Sequence, residues 1–170
     1  MGRFFSLVQI KNNGSREQFL KAFCDVMKKR SLVPCSEKES SVSYILAFSE
    51  SGKWVTLASK EYRDNPKQVK DDAKQTAAEM KTSSFSMDVV DSDWTYIELH
   101  TGADVHDTVM VGRSEFDEEH SPKGRRECWE PILAPGKTWE QISEIWNKNE
   151  VFVEDALYEA ASVLGIEPKY

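Results

Sequence analysis

Between Ser84 and Gly112 the chain alternates apolar and polar residues in three short runs, FSMDVVDSDWTYIELH, TGADVHD and TVMVG. In a strand, successive side chains point to opposite faces, so this alternation gives three strands with one apolar face. Phe85, Met87 and Val89 alternate with Ser86, Asp88 and Val90, and Thr95, Ile97 and Leu99 alternate with Tyr96, Glu98 and His100. Asp91-Ser92-Asp93 supplies a turn through its short polar side chains, and Trp94 leaves it. Residues 107–112 pair back after a turn at Gly102. Such a sheet must bury its apolar face, so the rest of the chain has to provide the cover.

The flanking sequence provides helices and further strands. RFFSLVQIK (3–11) is rich in β-formers, with Phe4, Val8 and Ile10 on one side and Phe5 and Leu7 on the other. Ser15 with Gln18 forms a capping box for a helix reaching about Arg30, whose apolar stripe is Phe19, Leu20, Phe23, Val26 and Met27. Residues 42–49 and 54–59 read as a hairpin closed at Gly52. A second helix starts at Asn65-Pro66, with Asn65 as cap and Gln68 completing the box. Its stripe of Val69, Ala73, Ala77 and Met80 is narrow enough to lie close on a sheet. Residues 115–126 read as a charged loop, and residues 128–133 fit either helix or strand. Thr138 with Gln141 opens a helix carrying Trp139, Ile142, Ile145 and Trp146. Phe152 to Leu164 forms the last helix, stopped by Gly165.

These elements predict one α+β domain over residues 1–170. Residues 1–113 form a sheet core with two helices, and residues 114–170 form a loop and C-terminal helices. The sheet is antiparallel or mixed, of about six strands, with helices mainly on one face. The first six elements, β α β β α β, resemble the order of the ferredoxin-like split βαβ unit.

Charge is unevenly spread. Residues 82–120 carry ten Asp/Glu against Arg113 alone, a balance of −9 in a chain whose net charge is −7. An acidic balance disfavours nucleic acid and anionic membranes and suits a basic protein partner. Trp94, ringed by Asp91 and Asp93 and close to Tyr96, resembles an interface anchor. The candidate partner-binding set is therefore Asp88, Asp91, Asp93, Trp94, Tyr96, Glu98, Asp104 and Asp107. Acid on strand edges and turns also blocks edge pairing, which is the plainer reading of each residue taken singly.

Signals for chemistry are weaker. His100 and His106 lie near Asp104 and Asp107 and are candidate metal ligands, but their spacing matches no metal motif. Asp88, Asp91 and Asp93 resemble a Mg²⁺-binding acidic set, although turn geometry explains the latter two. The acidic run 117–120, ending in His120, reads as a solvated face. Lys28-Lys29-Arg30 suits a helix C-terminus. No Gly-rich phosphate loop, nucleophile elbow or paired CxxC is present, and no cofactor is implied. Cys24, Cys35 and Cys128, odd in number and unpaired in spacing, predict a reducing, cytoplasmic setting. Met1-Gly2 with Ser6 matches the N-myristoylation pattern, but Phe4 and Phe5 are better explained as strand residues.

The C-terminal runs GKTWEQISEIW and VFVEDALYEAASVLGI, with the acidity, resemble small acidic bacterial α+β proteins, some of them immunity proteins that neutralise a toxin. The resemblance implies a non-enzymatic binding protein and carries no site residue. Two alternatives stand beside it. One is metal-assisted hydrolysis by the carboxylates and histidines of residues 88–107. The other is a small-ligand sensor with a cleft lined by Tyr44, Trp54 and Tyr96.

Overall fold

A computed structural model describes residues 5–33, 43–102, 104–112, 123–148 and 152–166. Strands β1 (Phe5–Lys11), β2 (Tyr44–Phe48), β3 (Trp54–Ser59), β4 (Ser83–Val90), β5 (Trp94–Thr101) and β6 (Asp104–Gly112) form one sheet in the order β2-β3-β1-β4-β5-β6. Every neighbouring pair is antiparallel. Since β1 and β2 both run against β3, they are parallel to each other, with β3 filling the gap between them. The same holds for β3 and β4 on either side of β1. This interleaving is the split βαβ arrangement anticipated from the element order, and β5 and β6 extend it as a meander.

Helix α1 (Arg16–Lys29) makes the first crossover. Its capping box is formed: the Ser15 amide donates to Gln18 Oε1 (2.8 Å) and the Gln18 amide to Ser15 Oγ (3.2 Å). A short helix α2 (Glu61–Asp64) leads into α3 (Pro66–Met80), the second crossover. Pro66 opens α3, but Asn65 makes no side-chain cap. Gln68 instead turns inward and donates to Asp72 Oδ1 (2.7 Å). Asp72 is fully buried and also accepts from Tyr62 Oη (2.7 Å) and from Arg30. Burial pushes its carboxyl above the usual range, and the bonds from Tyr62 and Arg30 oppose that shift. The small stripe of α3 does allow close approach, since Ser84 Oγ donates to the Ala73 carbonyl at 2.5 Å.

Register divides the sheet residues between two cores. Val8, Ile10, Val55 and Leu57 pack under α1, α2 and α3 with Phe19, Phe23, Tyr62 and Val69. Phe85, Val89, Ile97, Leu99, Val109 and Val111 point the other way, into a core built from the C-terminal segment. That segment comprises α4 (Arg126–Trp129), a 3-10 turn (Glu130–Ile132), α5 (Trp139–Trp146) and α6 (Val153–Leu164). Helices therefore cover both faces, which corrects the expectation of helices mainly on one. The cause is that β1 and β3 carry apolar residues on both sides while β4, β5 and β6 turn theirs away from α3, so one helical layer leaves the second face bare. The undecided stretch at 128–133 is helical because Cys128, Trp129 and Ile132 all turn into this core.

One turn and one close backbone approach fix the meander. In the β4–β5 turn the Asp93 amide donates to the Val90 carbonyl (3.1 Å), with Asp91 and Ser92 at φ 52° and 60°. Gly112, at φ +92°, faces Trp94 across the ladder, and a Cβ there would lie 2.2 Å from the Asp93 carbonyl oxygen. Among the described residues, no helix is long and apolar enough to cross a membrane.

Candidate functional site

The sheet alternation of the acidic region holds. Register places Asp88 beside Tyr96, Ser86 beside Glu98 and Ser84 beside His100, all on the α3 side. The charge on that side is answered from outside the region. Lys70 of α3 pairs with Glu98, and its Nζ lies 4.9 Å from the Tyr96 ring centroid. Asp88 accepts from Ser6 of β1. His100 is 1% exposed, with Nε2 3.8 Å from Glu98 Oε2.

Asp107 lies on the opposite face and is 9% exposed. It accepts from the Arg125 amide (2.7 Å), Arg125 Nε (3.1 Å) and Trp129 Nε1 (2.8 Å), so it anchors α4 to β6. Asp91 and Asp93 are exposed at the far turn, and Trp94 beside them is half-buried. Residue 104 lies in β6, but its side chain lies outside the described residues, as do Cys35, the run 117–120 and Met1 to Phe4. The described members of the expected acidic set are thus divided among the α3 side, the α4 side and one turn.

His106 is exposed, and its carbonyl accepts from Arg125 and from Cys128 Sγ (3.7 Å). Among the described residues, no group of three or more His, Cys, Asp or Glu side chains is placed to hold a metal ion.

The structure brings together a different site. On the face away from α1 and α3, the C-terminal helices cover β4, β5 and β6 and the Trp54 end of β3. Helices α5 and α6 side by side span about 20 Å, at about 10 Å each. Six strands at about 4.8 Å spacing are wider than that. The β2–β3–β1 half is left without a described helix on this face, and Ile45 of β2 is 65% exposed there.

Between this open half and the flank of α6 lies a cavity of about 250 Å³. Phe5, Leu7 and Gln9 of β1, Ala47 of β2, Thr56 of β3 and Met87 of β4 form its floor; Glu154, Leu157, Tyr158 and Ala161 of α6 form its wall. A smaller void of about 40 Å³ shares Gln9, Met87, Leu157 and Ala161 with it and reaches inward to Trp129 and Trp146.

The polar groups of the cavity are few. Gln9 Oε1 accepts from Thr56 Oγ1 (3.1 Å). Glu154 is 8% exposed, in the first turn of α6. Its Oε1 accepts from Ser92 Oγ (2.6 Å), and its Oε2 has no hydrogen-bond partner among the described residues. The Val153 amide donates to the Ser92 carbonyl (2.9 Å), so the β4–β5 turn and the start of α6 hold each other in place.

Trp54 belongs to this cleft, as the ligand-sensor expectation had it, but Tyr44 and Tyr96 do not. Tyr44 packs edge-on against Phe23 and Tyr62 on the other face, and Tyr96 lies under Lys70. Nothing in the sequence marks Leu7, Ala47 or Ala161 as a site, because each reads as an ordinary apolar position. Glu154 carries one signal: it is an acid two residues into a helix whose neighbours Val153, Ala156 and Leu157 are apolar.

No family model matches the chain, and neither does any curated protein or solved structure.

Proposed function

We propose that this is a non-enzymatic binding protein that takes a small, largely apolar ligand into the cavity between the open half of the sheet and α6. The observation that carries the reading is the cavity itself: about 250 Å³ with an apolar lining and a few convergent polar groups. A cavity of about 150 Å³ already holds benzene in a small protein, so this one has room for a chain of several carbons or a fused aromatic. Octan-1-ol is a suitable neutral probe. Calorimetric titration is expected to show saturable binding to the wild type and its loss in Ala47→Trp, which fills the floor while leaving both cores intact. Absence of saturable binding, or equal binding by Ala47→Trp, would remove the reading.

A second reading, recognition of a basic protein such as a toxin, is favoured by one observation. Phe152 is 55% exposed and adjoins the turn bearing exposed Asp91 and Asp93, through the bond from Val153 to Ser92. An aromatic ring among carboxylates suits a cationic surface. Asp91→Lys with Asp93→Lys is expected to abolish capture of such a partner, and capture that survives the reversal counts against it.

A further inference from the structure

We infer that the ligand of this cavity is a cationic amphiphile, with an apolar body on Leu7, Met87 and Leu157 and an ammonium group on Glu154. The inference rests on the reading of the cavity as a ligand site and names the chemistry that site selects. A buried carboxylate is costly unless its oxygens are bonded. Glu154 meets that requirement at Oε1 and not at Oε2, yet it lines the one wall of the cavity formed by α6. Its other oxygen needs a donor that the described residues do not provide. An ammonium group supplies one, together with the opposite charge, and such charge-assisted bonds are the stronger kind.

Gln9 and Thr56 bond each other on the floor, and Glu154 is the one Asp, Glu, Lys, Arg or His among the described residues that line the cavity. Exposed acids continue outward from the same end: Asp155 follows in α6, and Asp91 and Asp93 flank the Ser92 that holds Glu154. They attract a cation towards the mouth and repel an anion.

The test uses three probes of equal chain length, octylammonium, octan-1-ol and octanoate, titrated calorimetrically into wild type and Glu154→Gln. In wild type the expected order is octylammonium tightest, by roughly tenfold over octan-1-ol, with octanoate weakest. In Glu154→Gln, where the side chain keeps an oxygen for Ser92, the preference for octylammonium over octan-1-ol is expected to fall to about twofold or less. Octan-1-ol binding as tightly as octylammonium in wild type, or a preference that persists in Glu154→Gln, overturns the charge assignment and leaves the apolar site standing. Failure of all three probes to bind wild type overturns both.

Discussion

The β4–β6 half of the sheet and the β2–β3–β1 half carry the same alternation of side chains, yet on the face away from α1 and α3 they meet different surroundings. In the first half, Phe85 contacts Trp54 and Trp129, and Trp129 contacts Trp146, with ring centroids 4.6–5.8 Å apart. In the second half, Leu7 and Thr56 line a cavity and Ile45 faces outward. Each region has one buried carboxylate. Asp107 receives three donors, whereas Glu154, a residue of the cavity wall, keeps one oxygen unbonded among the described residues. A polar group with every bond made inside the fold serves stability. One left half-bonded at the wall of a cavity is where a ligand's polar group fits.

Truncating apolar residues separates the two halves most strongly. Phe85→Ala is expected to cost about 3–5 kcal/mol, because a ring packed on all sides leaves a cavity. Leu7→Ala is expected to cost about 1–2 kcal/mol, because the half-buried side chain already borders empty space. Urea unfolding of both variants measures the difference, and equal losses would contradict the division.

The carboxylates give a smaller contrast. Asp107→Ala leaves the buried Trp129 N–H and the Arg125 amide without an acceptor, for an expected loss of about 2–4 kcal/mol. Glu154→Gln, which removes a buried charge and keeps an acceptor for Ser92, is expected to change stability by less than about 0.5 kcal/mol. A large loss in Glu154→Gln would place that residue with Asp107 as a structural anchor.

The smallest effect is on acid stability. Glu61 is held below the ordinary value of 4.5 by the Ser59 hydroxyl, and Glu130 by its bond to Arg126. Groups shifted down bind protons less readily when folded, so their contribution is present above 4.5 and lost as pH falls below it. Asp72, shifted up by burial, has the reverse sign: its contribution falls as pH rises from the ordinary Asp value through its folded value. Combining Glu61→Gln with Glu130→Gln is expected to flatten the acid limb of thermal unfolding between pH 5 and pH 3, and an unchanged limb would contradict this.

Much of the fold was legible because it depends on local pattern. The capping residues Ser15 and Thr138, the alternation from Phe85 to Leu99 and the stop at Gly165 each act within a few positions. What was not legible depends on partners distant in sequence. Asp72 and Thr76 lie off the apolar stripe of α3 in the sequence, yet both are fully buried, Asp72 held by Arg30, Tyr62 and Gln68. Of the acids in residues 82–120 whose side chains are described, Asp88, Glu98, Asp107 and the pair Asp91 and Asp93 do not share one surface. Lys70 answers Glu98 and Arg125 answers Asp107, and strand alternation sends neighbouring acids to opposite faces. The cavity was hidden for a related reason: it exists where two C-terminal helices are too narrow for six strands, a fact about widths rather than about any residue.

Amide shift mapping shows whether the open half of the sheet receives a ligand. ¹H–¹⁵N spectra titrated with octylammonium are expected to show saturable shifts at Leu7, Gln9, Ala47, Thr56, Met87 and Ala161. The amides of Asp107, Thr108 and Val109 in the covered half should stay fixed. Shifts that never saturate, or that centre on the Asp91–Asp93 turn and spare the floor of the cavity, would contradict the account.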